Sequence, residues 1–252
     1  MKPGPATVTT VSRAMGNREF FDTYARPGMV GLAAGNTVID RLIAKAQRHV
    51  ELGTGWGRWS HAFVIGERRV DGFLWVIESD LEIHSKNIRL GAQENRITKF
   101  DDPTFYTSIA LLDFRLPPET VTRLLAGGLD LVSARARYSM RELIGTLIAL
   151  RHPCLRAKPN PLARPESYYC SALVRLLFAK AGVDLTPGLD VKNTTPEDLW
   201  RSPLAPAAWL LDGAAPASRV AKLAQAVEHR VRARLRQGRN RLRGTSPLGG
   251  PA

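Results

Sequence analysis

Cysteine is scarce in this chain: there are two in 252 residues, Cys154 and Cys170. They can form at most one bridge, and their spacing fits neither a disulfide framework nor a zinc ribbon. That scarcity points to a reducing compartment. No run of eighteen consecutive apolar residues occurs, so no membrane-spanning helix is expected. The first seventeen residues alternate Thr, Val, Ser and Pro without the apolar stretch of a signal peptide. A cytoplasmic protein, at most peripheral at a membrane, follows from these absences. There is no internal repeat, no His-Glu-x-x-His and no paired Cys-x-x-Cys. A zinc site built from His84 with His61, Glu78 and Cys170 is the one metal arrangement the sequence suggests, and its spacing matches no zinc motif. Neither metal nor cofactor is expected.

Acidic residues are the other shortage, 23 against 36 lysines and arginines, for a net charge of +13. Much of that charge lies at one end. From Arg219 to Arg243 there are nine basic residues against Glu228 alone, and the remaining body is unremarkable for its size. Val220, Leu223, Val227, Val231 and Leu235 fall near one face of a helix whose other faces carry arginines, the pattern of a basic amphipathic helix at an anionic membrane surface. A solvated helix docked by its narrow apolar stripe fits equally well. The tail has no aromatic residue to stack on a base, which argues against nucleic acid.

What is present reads as an α+β fold. Residues 1–24 form a loosely structured, flexible lead-in, 25–212 a catalytic domain, and 213–252 the basic helical and disordered tail. Met29 to Leu32 reads as a strand, and Asn36-Thr37 caps a helix that runs toward Gly53. Trp59 to Ile65 and Phe73 to Ser79 read as a hairpin across a polar turn with glycine at each end. Strands are expected near residues 87–90 and 107–114. Pro117-Pro118-Glu119 then opens a further helix. The Pro-, Arg- and Lys-rich stretch 151–164 is a long loop. After it, Cys170 begins a strongly apolar helix closed by Gly182, too continuous in its apolar residues for a surface position. Thr195-Pro196-Glu197-Asp198 caps a short last helix.

A helix N-terminus stabilises a thiolate through its positive partial charge and unpaired N–H groups, and Cys170 is placed for that. Taken alone, it is more simply a small apolar residue opening a core helix. Its partners would come from the hairpin. If the turn is centred between Arg69 and Val70, His61 lies directly opposite Glu78, and Val64 opposite Trp75. A carboxylate beside an imidazole holds one ring nitrogen and leaves the other for a thiol. A slip of one residue would send the two to opposite faces. Trp56 and Trp59 are candidate apolar pocket walls and Ser60 a pocket residue. Tyr168 and Tyr169 are either oxyanion donors or packing residues.

Several motifs, in order, resemble the permuted NlpC-type papain-like cysteine hydrolases (the YiiX/YaeF-like group). They are Arg26-Pro27-Gly28-Met29, then Trp59-Ser60-His61-Ala62-Phe63-Val64, then Val76-Ile77-Glu78, then Tyr168-Tyr169-Cys170-Ser171-Ala172, and last Thr195-Pro196 through Leu199 to Ser202-Pro203. Met29 stands where that family usually has Asp, and Ala62-Phe63 where it usually has Val-Gly. The resemblance implies a circularly permuted papain-like fold, a small antiparallel sheet packed against helices. It also implies Cys170 as nucleophile, His61 as base and Glu78 as the residue orienting it. The substrate would be an acylated or amide-containing compound, cleaved by an amidase, a peptidase or a lipid-directed acyltransferase or phospholipase. A catalytically silent binding protein that keeps the fold and works through the tail is the rival from another class.

Overall fold

The computed structural model describes residues 4–12, 14–47, 57–82, 89–138 and 140–213. The basic tail, Trp56, His49, His84 and the glycine-rich loop before Gly57 lie outside the described residues. Among the described residues the chain runs β1 (Thr7–Val11), α1 (Asn17–Tyr24), β2 (Val30–Gly35), α2 (Val38–Ala46), β3 (His61–Arg68) and β4 (Leu74–Glu82). It continues through β5 (Arg89–Arg96), β6 (Tyr106–Asp113), α3 (Pro118–Ser133), α4 (Met140–Arg151), α5 (Cys170–Lys180), α6 (Pro196–Trp200) and β7 (Ala207–Leu211). The seven strands form one sheet in the order β1-β7-β6-β2-β3-β4-β5. The pairings are antiparallel except β1 beside β7. This is a mixed α+β architecture, with a larger sheet than the sequence suggests.

Strand alternation sorts the side chains onto two faces. Val30 and Leu32 of β2, Ala62 and Val64 of β3, Ile77 of β4 and Ala110 and Leu112 of β6 share one core with Leu124 of α3 and Leu173, Val174, Leu177 and Phe178 of α5. Ala33, Phe63, Ile65, Val76, Ile109 and Leu111 face the other way, onto Phe20 and Phe21 of α1 and onto Ile97 and Phe100 of a 3-10 turn, Ile97–Phe100. Helices therefore cover both faces.

Local signals account for the helix ends. Thr37 and Asp40 make a reciprocal capping box at α2, Thr195 and Asp198 make another at α6, and prolines open α3 and α6. Helix α5 ends at Ala181, followed by Gly182 at φ +88°, a left-handed position that favours glycine.

Two expectations are corrected. The first concerns the lead-in: residues 7–11 are the edge strand β1, held by backbone pairing to β7, and α1 buries Phe20 and Phe21 completely. The β1 side chains are mostly exposed, so the strand carries no apolar alternation to betray it. In the hairpin, Phe63 and not His61 faces Glu78, and Val64 faces Ile77 and not Trp75. The strands run further into the turn, β3 reaching Arg68 with an irregularity after Ile65, so the centre moves one position along the chain. The pairing is offset by two residues, which preserves the face, and His61 and Glu78 become diagonal neighbours. Helix α4 occupies residues 140–151, a stretch with no expectation attached, ahead of the long loop, which itself holds a 3-10 turn, Pro153–Leu155.

Candidate active site

Cys170 is the first residue of α5 and is buried, 6% exposed. The preceding Tyr169 offers no side-chain cap, so no side chain closes the positive end of the helix at the thiol. The approach to the cysteine is pinned on both sides. Ser79 of β4 donates to the carbonyl of Tyr168 at 2.5 Å, and Ser171 donates to the carbonyl of Thr194 at 2.8 Å.

His61 begins β3, at a point where pairing with β4 has not yet started; the first paired residue is Phe63. Helix α5 packs on one face of the sheet and the side chain of Glu78 lies toward the other. The end of the strand is where an imidazole can meet both. Glu78 Oε2 stands 2.5 Å from His61 Nε2, and the Cys170 side chain lies near enough to the imidazole to shift its pKa. The Glu78 contact leaves Nδ1 as the other ring nitrogen. The ring is held from its sides by Phe63 and Phe100, at centroid distances of 6.0 and 6.1 Å. Burial alone would lower the pKa of this histidine. The interactions with Cys170 and Glu78 outweigh burial and raise it well above the usual value.

Glu78 is fully buried, and its second oxygen is saturated by residues that the sequence did not single out. Asn95 Nδ2 of β5 and Lys99 Nζ of the 3-10 turn each donate to Oε1 at 2.6 Å, and Lys99 also reaches Asp80 Oδ2 at 2.5 Å. Burial pushes the Glu78 pKa up. The Lys99 charge and the His61 contact overcome that push and hold the carboxyl well below the usual carboxylate range. Burial likewise opposes the Lys99 ammonium, and the charges of Glu78 and Asp80 more than compensate, raising its pKa well above that of an ordinary lysine. Asn95 and Lys99 lie 17 and 21 residues after Glu78, with no motif to mark them; an Asn and a Lys at the end of a strand read as surface residues.

The other expected site residues divide. Ser60 lines the cleft beside Cys170, but its hydroxyl accepts from the Gly35 N–H at 2.9 Å and donates to the Ala33 carbonyl at 3.3 Å, fastening β2 to β3. Tyr169 also lines the cleft, and its hydroxyl accepts from Thr146 and donates toward the carbonyls of Lys192 and Thr194. It is therefore an anchor of the loop packing, and its hydroxyl is committed there. Tyr168 packs beside it, with Lys192 Nζ 4.8 Å from its ring centre. Trp59 is not an open pocket wall: it is fully buried against Trp200, at 5.4 Å between ring centres. The cleft at Cys170 is walled instead by Ile43 of α2, Leu143, Leu147 and Leu150 of α4, Pro196, and Tyr138. Cys154 is exposed and free. Among the described residues no group of three or more His, Cys, Asp or Glu is arranged to hold a metal ion, and no helix is long and apolar enough to cross a membrane.

No protein-family model matches the chain, and no curated protein matches it. Among solved structures it is similar to the metalloprotein yiiX from Escherichia coli O157:H7, at 10% identity and a TM-score of 0.48, over 76% of this chain and 98% of that one. A likeness at that level fixes neither family nor activity. The chemistry has to be read from the residues themselves.

Proposed function

We propose that the protein is a thiol hydrolase with a circularly permuted papain-like site, cleaving an amide or ester through a thioester on Cys170. One observation carries this reading: Cys170, at an uncapped helix start, neighbours His61 closely enough to shift its pKa, and His61 Nε2 lies 2.5 Å from the buried carboxylate of Glu78. In the first step His61 takes the Cys170 proton as the sulfur attacks the carbonyl carbon, and the oxyanion is met by the N–H of Cys170 at the helix start. His61 gives its proton to the departing amine or alcohol as the C–N or C–O bond breaks. In the second step His61 takes a proton from water, which attacks the thioester carbonyl; the C–S bond breaks, and the thiol is regenerated as the acid leaves. Glu78 touches no reacting atom and orients the imidazole.

A lipid-directed reaction of the same site is the second reading, favoured by the cleft that Ile43, Leu143 and Leu147 line beside Cys170. An apolar wall suits an apolar acyl group. The basic stretch from Arg219 to Arg243 would then bring the protein to an anionic membrane surface.

Hydrolysis of p-nitrophenyl acetate, p-nitrophenyl palmitate and a peptide p-nitroanilide tests both readings. Cys170→Ala and His61→Ala each lose on the order of 10³-fold or more of the activity with the fold intact by circular dichroism. Unchanged turnover in either variant sinks the thiol mechanism. Preference for the palmitate selects the lipid reading, and an inert wild type leaves a silent binding protein that acts through its tail.

A further inference from the structure

A buried glutamate is an expensive way to orient a histidine. A carboxylate withdrawn from water tends to take up a proton, and a second carboxylate nearby strengthens that tendency. Both conditions hold here: Glu78 is fully buried, and Asp80 follows it by two residues on the same face of β4. A protonated Glu78 would lose most of its attraction for an imidazolium. Lys99 stands between the two carboxylates, 2.6 Å from Glu78 Oε1 and 2.5 Å from Asp80 Oδ2, and is largely shielded from water.

We infer that Lys99 is a positioning residue of the site: its ammonium keeps Glu78 ionised, and so keeps the Glu78–His61–Cys170 chain charged and aligned. The role extends the thiol-hydrolase reading and rests on it. Among the described residues, the other titratable or charged groups around the cluster are His61 on β3, Asp80 on β4, Tyr106 on β6, Asp40 on α2, Tyr138 ahead of α4 and Cys170 on α5. Among the described residues Lys99 is the lysine or arginine that contacts Glu78, and Asn95, the other donor to Oε1, is neutral. Removing one positive charge from such a group moves every nearby protonation midpoint to higher pH, and removing one negative charge moves it to lower pH. A purely structural lysine would change the amount of folded protein without that signed displacement.

The experiment compares wild type with Lys99→Gln, Lys99→Arg and Asp80→Asn, each as the full chain. Two quantities are read against pH: the rate of Cys170 alkylation by iodoacetamide, followed by mass spectrometry, and the carboxyl carbon shift of Glu78 in protein labelled with ¹³C-glutamate. In Lys99→Gln, which keeps a neutral donor, the alkylation profile moves up in pH, slowing the reaction on its acid side about tenfold for each unit moved. Glu78 in that variant shows a protonation midpoint at or above the ordinary glutamate value of about 4.3. Lys99→Arg stays close to wild type, and Asp80→Asn moves the alkylation profile down.

A folded Lys99→Gln with both profiles unmoved overturns the inference. If that variant does not fold, Asp80→Asn decides, and an unmoved or upward profile overturns it. Should wild-type Cys170 alkylate like an ordinary cysteine, indifferent to His61→Ala, the thiol-hydrolase reading fails. The Glu78 carbon shift still reports whether Lys99 holds the carboxylate charged.

Discussion

Glu78 shows how much structure one side chain requires. With no exposure to water, its two oxygens are satisfied by three separate elements: His61 from β3, Asn95 from β5 and Lys99 from the turn that follows β5. Breaking a buried ion pair by removing one partner costs about 3–5 kcal/mol, because the remaining charge is left without compensation. Glu78→Gln is such a change, since it leaves Lys99 with Asp80 alone and strands the His61 proton. The pH dependence follows from the direction of the shift. The folded Glu78 pKa lies well below the unfolded one, so the stability it contributes is present above about pH 4.3 and is lost as the pH falls through the folded value. Denaturant titrations should therefore show Glu78→Gln several kcal/mol less stable than wild type at neutral pH, with the gap closing in strong acid. A gap that is independent of pH would mean that Glu78 packs as a neutral group.

The elements differ in how much of themselves the sequence discloses. Helix α5 is plain to read: eight of its eleven residues are buried, its apolar run from Ala172 to Phe178 is interrupted by Arg175 alone, and glycine follows its C-cap. The hairpin is legible in kind and parity but not in register, because register depends on how far each strand penetrates the turn, and Arg69 to Gly72 carry no apolar pattern to mark it. His61 and Glu78 could still be paired from sequence because a two-residue offset returns each to its own face. Lys99, Asn95 and Tyr138 were illegible, since tertiary folding alone brings them to the site.

One element-level requirement is local and testable. Gly31 of β2 lies opposite Phe63 of β3, and a Cβ there would collide with that ring, which stacks on Phe100 at 4.3 Å between centres and flanks His61. Gly31→Val pushes Phe63 away and loosens the imidazole. Thermal melting should fall by an amount typical of core overpacking, about 1–3 kcal/mol, and Cys170 alkylation should lose its dependence on His61. A variant with wild-type melting and wild-type alkylation would show that the ring has room to move.

At the scale of the whole molecule, the described core closes without the basic tail. Its three apolar clusters draw only on residues between Val11 and Leu211, and the contiguous compact unit ends at Asp212. The two ends of this unit meet where β1 lies parallel to β7, so the first residues of the chain belong to the fold as much as the strand that completes it. Two truncations then have opposite outcomes. A chain that stops after Gly213 retains the melting temperature and the Cys170 reactivity of the full protein while losing the nine basic residues after Ser218, and its retention on anionic phosphatidylserine vesicles at low salt disappears. A chain that begins at Ala25 loses Phe20 and Phe21, each worth about 3–5 kcal/mol as a buried aromatic, and does not fold. Vesicle binding that survives removal of the tail would place the membrane contact on the folded unit, whereas a folded chain lacking its first 24 residues would show that α1 caps a sheet already stable without it.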